Sequence, residues 1–188
     1  MKKSNFIKTS VFVFALFLGQ SFFAQKTKMV GGAEMYPSKN IVENAINSKD
    51  HTTLVAAVKA ADLVSVLSSE GPFTVFAPTN KAFDMLPEGT VSTLLMEENK
   101  MKLQSILKYH VVAGKWNAKD LVKLIKKGNG KAVIKTVSGG VITAWMKGKE
   151  VYISDENGGK AKVTIANVNQ SNGVIHVIDA VLLPKPAM

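Results

Sequence analysis

The sequence predicts an α+β fold in which a largely antiparallel sheet follows a group of helices. Three observations predict it. Apolar residues at three- and four-residue spacing dominate the first half of the chain, and short runs rich in β-branched residues, separated by glycine turns, dominate the second half. One early strand interrupts the helices at residues 73–77. With 188 residues, the chain is expected to form one domain.

The helical signals begin at Ser38, which we expect to cap a first helix. Residues 51–69 continue a core-facing apolar stripe until Gly71 stops it. Further helices are expected after Thr79, from Thr90, over residues 99–112, and after Asn117, which has Asp120 at the spacing of a capping box.

The early strand lies in "GPFTVFAPTNKAF", residues 71–83. Both of its faces are predicted to be buried, with one formed by Phe73, Val75 and Ala77 and the other by Thr74 and Phe76. Pro78 cannot donate to a ladder, so the strand should end there, and Thr79 should cap a short helix that contains Phe83. We interpret this corner as a chain reversal inside a core.

The strands of the second half are predicted at residues 131–137, 141–147, 150–154, 162–166 and 173–184. The last of them should stop at Pro184. At its start, Asn172 and Gly173 are expected to supply a positive φ for the turn into the strand.

The N-terminus has the pattern of a secretory signal peptide over residues 1–24, with basic residues before a short apolar run. Cleavage after Ser21 is an alternative, and a retained anchor helix is a second one. Residues 25–37 are interpreted as a flexible lead-in, residues 38–184 as the domain, and 185–188 as a tail. We therefore expect a secreted product, periplasmic or extracellular. The chain has no cysteine, which excludes disulfides and lipidation on cysteine.

The formal charge is +10, and every one of the 24 basic residues is lysine. Lysine lacks the bidentate fork that reads guanine and phosphate, so sequence-specific nucleic-acid binding is not expected. Loose attraction to polyanions is compatible with this charge. The expected contacts are lysines on predicted turns: Lys126, Lys127, Lys131, Lys147 and Lys149. An ordinary solvated surface is the alternative.

The three histidines are the obvious chemical candidates. His51 is interpreted as an exposed residue near a helix cap, whereas His110 and His176 are predicted to be buried and hydrogen-bonded. Their separations lack the local spacing of zinc ligands, and we expect no metal and no cofactor. Spacing alone leaves open a triad of His176, Asp179 and a serine. The "DENGG" segment, residues 155–159, is predicted to be a hairpin turn and not a calcium loop.

Two segments resemble the signature segments of the fasciclin-like (FAS1) domain: "GPFTVFAPTNKAF" (71–83) and "NGVIHVIDAVLLP" (172–184). Between them, "ILKYHVVAG" (106–114) is similar to the family's Tyr-His segment. The matching positions in the later segments are Tyr109, His110, Asn172, Gly173, Val174, His176, Ile178 and Asp179. The resemblance implies a wedge-like β-sandwich with helices packed along one edge.

The resemblance also implies an extracellular adhesion or interaction module without catalytic apparatus. Some animal members have an acidic integrin-binding motif before the second signature segment. Here that stretch is "IANVNQS", residues 165–171, which lacks both acid and proline, so integrin recognition is not implied.

Three functions follow as hypotheses. The first is an exported module that binds an extracellular or envelope protein or an acidic polysaccharide, as a monomer or weak homo-oligomer. The second is a periplasmic carrier of a lipid-like ligand, with Trp116 and Trp145 as candidate pocket residues. The third is a hydrolase.

Overall fold

The computed structural model describes residues 26–185 and has nine strands and seven α-helices in that range. The strands are β1 (Lys28–Val30), β2 (Ala33–Met35), β3 (Phe73–Pro78), β4 (Val111–Ala113), β5 (Lys131–Lys135), β6 (Val141–Lys147), β7 (Glu150–Ser154), β8 (Lys160–Gln170) and β9 (Gly173–Ile178). The helices are α1 (Ile41–Ala45), α2 (Thr52–Ala60), α3 (Val64–Ser68), α4 (Asn80–Asp84), α5 (Thr90–Leu94), α6 (Lys100–Tyr109) and α7 (Ala118–Lys127). Within this range, no helix has the length and apolar character that crossing a membrane requires.

Seven of the strands form one mixed sheet in the order β4-β3-β9-β8-β7-β6-β5. Only β3 and β9 pair in parallel among these neighbours, and the other pairs are antiparallel. Strands β1 and β2 form a separate hairpin. The observed architecture confirms the predicted α+β class with a largely antiparallel sheet.

The long strand β8 allows the sheet to fold over itself. It pairs with β7 at its beginning and with β9 further along, and its register with β9 shifts between Val163 and Val168. Asn167, inside this irregular stretch, has φ 57°, and such a bulge bends a strand. At the far ends of the sheet, Val137 N donates to Val111 O at 2.8 Å, which joins the chain after β5 to β4.

The folded sheet encloses one core and covers a second. The inner core lies between the two halves of the sheet and includes Phe76, Ile142, Ile153 and Ile178. Helix α7 adds two further residues to it, Leu121 and Ile125. The other core lies between helices α1–α6 and the opposite face of β3 and β9. Both faces of β3 are therefore buried, as the alternation predicted.

The interpretation of residues 25–37 as a flexible lead-in is wrong for the part described. Residues 28–35 form the β1–β2 hairpin, and its inward-facing residues Val30 and Met35 are buried in the helical core. Gly31 and Gly32 occupy the turn with φ 58° and 75°, a conformation that glycine adopts at no steric cost. The predicted signal peptide, residues 1–24, and most of the predicted tail lie outside the described residues.

Two helix predictions also need correction. The first helix is capped by Asn40 and not by Ser38, because Asn40 and Glu43 form a reciprocal capping box. The stripe over 51–69 is not one helix. The chain breaks between α2 and α3, where Asp62 takes a positive φ of 54°.

The predicted strands at 141–147 and 150–154 are confirmed with their exact bounds, whereas the other strands of the second half were right in position but not in length. The final strand ends at Ile178 and not at Pro184, and β8 continues to Gln170 instead of ending at 166. The prediction of helix up to residue 112 is wrong at its end, because the helix stops at Tyr109 and residues 111–113 form β4.

Candidate functional site

The two signature segments lie side by side in the middle of the sheet. Strands β3 and β9 pair in parallel, with Phe73 opposite Gly173, Phe76 opposite His176, and Pro78 opposite Ile178. The Tyr-His segment is next to them, because β4 pairs with the other edge of β3. The structure therefore brings the three quoted stretches into one contiguous unit.

His176 is fully buried on β9, where its ring stacks on Phe76 at a centroid distance of 5.6 Å. Its Nε2 donates to Trp116 O at 2.8 Å, and its Nδ1 accepts from Asn167 N at 3.5 Å. These partners fix the proton on Nε2. Burial lowers the pKa of His176, so the ring is neutral near pH 7.

His110 lies at the C-terminal end of α6 and is also buried. Its Nδ1 donates to Ile106 O at 2.9 Å, and its Nε2 accepts from Leu182 N at 3.0 Å. Burial lowers the pKa of His110 to about 4. In both rings, each nitrogen already has a backbone partner, so neither ring offers a free nitrogen to a metal or a substrate.

The hydroxyl groups of this unit have backbone partners as well. Tyr109 donates to Val141 O at 2.6 Å and accepts from Glu156 N at 3.1 Å, and burial raises its pKa to about 12. Thr74 Oγ1 donates to Gly114 O at 2.7 Å and accepts from Trp116 N at 2.9 Å. Thr79 Oγ1 accepts from Ala82 N and caps α4, as predicted, and Phe83 of that helix is buried.

The turn into β9 works differently from the prediction. Neither Asn172 nor Gly173 has a positive φ, so the expected reason for this pair is wrong. Asn172 instead joins three segments: its Oδ1 accepts from Ile41 N, and its Nδ2 donates to Leu67 O and Ser69 O. A Cβ at position 173 would overlap the carbonyl oxygen of Phe73, which leaves room only for glycine.

The structure does not assemble the triad that spacing left open. Asp179 is exposed, and its Oδ1 accepts from the backbone N of Lys162 at 2.7 Å, whereas the ring nitrogens of His176 contact Trp116 and Asn167. Over residues 26–185, no group of three or more His, Asp or Glu side chains could hold a metal ion.

His51 is buried, which corrects the prediction of an exposed side chain. Its Nδ1 lies 2.9 Å from Ser48 Oγ, while its Nε2 has no hydrogen-bond partner among the residues that the structure describes. Burial lowers the pKa of His51, and the backbone of Ala77 opposes this effect.

His51 and His110 both line an apolar cavity of about 80 Å³ between the helices and the sheet. The remaining lining is almost entirely aliphatic, and neither Trp116 nor Trp145 contributes to it. Trp116 borders a shallow surface depression, and Trp145 stacks on Tyr152 at 4.8 Å between centroids. The tryptophans named as pocket candidates therefore do not line this cavity.

The "DENGG" segment forms the turn between β7 and β8. The Asp155 carboxylate accepts from the backbone N of Asn157, Gly159 and Leu183 at 2.7–3.0 Å. The turn therefore fastens the C-terminal segment to the sheet, and the Asp155 carboxylate is engaged by backbone N–H groups.

The five lysines predicted as polyanion contacts all lie at one end of the sheet. Lys126 and Lys127 end α7, and Lys131 begins β5 opposite Trp145 of β6. Since β6 continues beyond Trp145 to the tight turn at Lys147–Lys149, that turn lies at the same end. The sequence did not identify Lys119, Lys123 and Lys162, which line the same groove as Lys149. A signal existed only for Lys119 and Lys123, because their i, i+4 spacing on a predicted helix places them on one face.

Comparison with known proteins gives consistent matches. The model of the fasciclin domain family matches residues 49–184. Protein sll1483 of Synechocystis sp. is 48% identical over 160 residues, which are 85% of this chain and 82% of that protein. Immunogenic protein MPB70 of Mycobacterium bovis is 35% identical over 145 residues, with coverage of 74% and 66% respectively. Human periostin is 29% identical over 147 residues, but this chain spans only 16% of periostin.

A solved structure shares the fold. A FAS1 domain pair from the insect cell adhesion molecule fasciclin I aligns with a TM-score of 0.68 and 23% sequence identity. The alignment covers 77% of this chain and 51% of that chain, so this chain spans about half of the pair. The match confirms the fold that the signature segments implied.

Proposed function

The chain belongs to the fasciclin domain (FAS1) family, and from this premise we propose that it is an exported, non-catalytic interaction module. Its partner would be an anionic protein or polysaccharide at the cell surface or in the surrounding matrix. The solved relative named above is a cell adhesion molecule, which supports a role in attachment.

One observation supports this proposal above the others: the buried histidines of the second signature segment and of the Tyr-His segment are hydrogen-bonded inside the protein. His110 and His176 are buried and neutral, and each has both ring nitrogens bonded to backbone groups. A catalytic imidazole needs a nitrogen within reach of a substrate. Recognition is therefore expected on the outer surface, where the charge is predominantly positive.

The apolar cavity gives little support to the alternative of a lipid carrier. An engineered apolar cavity of about 150 Å³ holds a benzene molecule. The cavity near His51 has about 80 Å³, which is too little for an acyl chain. A hydrolase lacks support because Asp179 and His176 bind different backbone groups.

The proposal is tested by incubating the purified protein with envelope and matrix fractions of its own host, over a range of salt concentrations. We expect saturable retention that weakens as salt rises, because exposed charges are screened within about 10 Å at 0.1 M. A charge-reversed variant, Lys126→Glu/Lys147→Glu, should be retained less than the parent.

Two outcomes would contradict the proposal. One is the absence of saturable retention in any fraction. The other is turnover of generic ester or glycoside substrates that is lost on His176→Ala while the variant stays folded.

A further inference from the structure

A shallow groove lies between helix α7 and the strands β7 and β8. We name it the α7 groove. It has a volume of about 640 Å³ and is open to solvent. One wall is formed by α7, and the other by the turn before β7 and by the middle of β8; the lining includes Lys119, Val122, Lys123, Lys149, Val151, Lys162 and Val163.

The rim of the α7 groove is strongly basic. Four lysines line it, two on the helix and two on the strand side, against a single acid, Glu150. Glu150 is already paired with Lys162. Lys123 approaches Asp120 only at 4.0 Å, and no ion pair involves Lys119 or Lys149 among residues 26–185.

The lysines on the helix also repel one another. Lys119 and Lys123 have i, i+4 spacing, and Lys127 continues the series by one further turn. Like charges at this spacing disfavour a helix slightly. A negatively charged ligand in the groove would relieve this repulsion and would meet cations on both walls.

The floor of the groove indicates what else the ligand contains. Val122, Val151 and Val163 are partly exposed there, and Ala166 lies at one end. These side chains gain from burial against aliphatic groups. Sugar rings have hydroxyl groups around their perimeter. Hydroxyl groups that contacted the valine side chains would have no hydrogen-bond partner there, which costs free energy. No aromatic side chain lines the groove to cover the face of a sugar ring.

We propose that the α7 groove binds an extended acidic segment of a partner protein in which Asp or Glu alternates with small apolar residues. In an extended chain, alternate side chains point in opposite directions, so apolar side chains would face the floor and acidic ones would turn towards the lysine rim. This inference rests on the proposed function and names the partner class and the site.

The test uses the purified protein and three probes: a short peptide in which Glu alternates with Val, the same peptide with Ser replacing Val, and polygalacturonate. Binding is measured by calorimetry at constant salt. We expect the Glu-Val peptide to bind, and the Lys119→Glu/Lys149→Glu variant to bind it roughly tenfold more weakly or worse. Lys81→Glu/Lys102→Glu is the matched control, because it reverses the same number of exposed lysines on helices α4 and α6, and it should bind as the parent does.

A second variant, Val122→Ser, keeps every charge and tests the floor of the groove. It should weaken binding of the Glu-Val peptide several-fold and leave the weaker binding of the Glu-Ser peptide unchanged. Equal loss of affinity in the control lysine variant would contradict a local site, as would equal binding of the two peptides. Polygalacturonate that binds more tightly than the Glu-Val peptide, through the same lysines and regardless of Val122, would make the groove a polysaccharide site and overturn the inference.

The proposed function is separable from this inference. If the peptide does not bind while the protein is still retained by its host fractions, and Lys119→Glu/Lys149→Glu is retained equally well, the groove assignment is wrong and the interaction module stands. If nothing is retained, the proposed function itself is wrong.

Discussion

His110 and His176 hold opposite tautomers, with the proton on Nδ1 in one ring and on Nε2 in the other. Each tautomer is fixed by one donated and one accepted hydrogen bond to the backbone. Protonation of either ring would leave an N–H group facing the N–H donor that it now accepts from. Both histidines therefore stabilise the fold only while they are neutral.

This arrangement predicts that acid destabilises the protein through His110. A histidine in the unfolded chain has a pKa near 6.5, whereas burial lowers the pKa of His110 to about 4. Between these values the unfolded state binds more protons, so the free energy of unfolding falls as the pH drops from about 6.5 to about 4. Above pH 6.5 His110 has no such effect. The pKa difference corresponds to about 3 kcal/mol.

The measurement is urea unfolding across this pH range for the parent and for His110→Gln, which keeps one donor and one acceptor. The variant should lose less stability on acidification than the parent. His176 and His51 contribute with the same sign, because burial lowers their pKa values too. Identical pH dependence in parent and variant would show that His110 is not the group responsible.

Phe76 is the fully buried aromatic residue of β3 that stacks on His176. Replacing it with alanine should lower the free energy of unfolding by about 3–5 kcal/mol, because a cavity remains in the inner core. Met101→Ala is the control, since Met101 is 85% exposed and should change stability little. A Phe76→Ala variant that melts within a degree or two of the parent would contradict its place in the core.

A substitution at Gly173 tests whether this glycine is needed because a Cβ atom has no room there. Alanine there would push its Cβ into the backbone of Phe73, in the middle of the sheet. Gly130 has a positive φ of 95° but open space around it, so alanine there should cost only about 1–2 kcal/mol of backbone strain. We expect Gly173→Ala to destabilise the protein clearly more in chemical unfolding. A larger loss of stability for Gly130→Ala than for Gly173→Ala would mean that a positive φ, and not the space available for a Cβ atom, decides which glycine is needed.

At the scale of elements, the β1–β2 hairpin can be tested for a contribution to stability, which a flexible leader would not make. Met35 is buried in the helical core, whereas Met29 on the partner strand is 62% exposed. Met35→Ala should therefore cost about 2–5 kcal/mol, and Met29→Ala close to nothing. Thermal unfolding of the two variants side by side gives the answer. Equal melting temperatures would support the flexible interpretation made from the sequence.

Elements with a strong local signal could be predicted from the sequence. The Thr79 cap, the start of α5 at Thr90 and the Asn117–Asp120 spacing before α7 all depend on residues a few positions apart. The hairpin also had a local signal, a Gly-Gly pair between short strands, but the strands were too short to show alternation. The break at Asp62 had no signal, because the apolar stripe continues across it.

Contacts between segments that are distant in the sequence could not be predicted from local patterns. Asn172 joins residues 41, 67 and 69, and His176 contacts Trp116, and neither pairing follows from spacing. The parallel pairing of β3 with β9 was likewise invisible to periodicity. The fold itself was predictable because the resemblance covered both signature segments. The structural role of individual residues in those segments could not be predicted from the sequence.

At the scale of the whole molecule, the folded sheet separates a mainly apolar interior from a lysine-rich exterior. The bend in β8 and the hydrogen bond from Val137 N to Val111 O close the sheet around the inner core. Helix α7, the turn at Lys147–Lys149 and the start of β5 then lie at one end of the sheet. The sequence showed the excess of lysine but not this convergence, which depends on strand register.

The central claim is that the buried side chains of the signature and Tyr-His segments stabilise the fold and that binding occurs on the outer surface. The most direct test measures retention of two conservative variants, His110→Gln and His176→Gln, in the host fractions that retain the parent, after circular dichroism has established the folded concentration of each. Each folded variant should be retained with the affinity of the parent. A variant with the parent's circular dichroism spectrum but without retention would contradict it, because an imidazole inside the domain would then take part in binding.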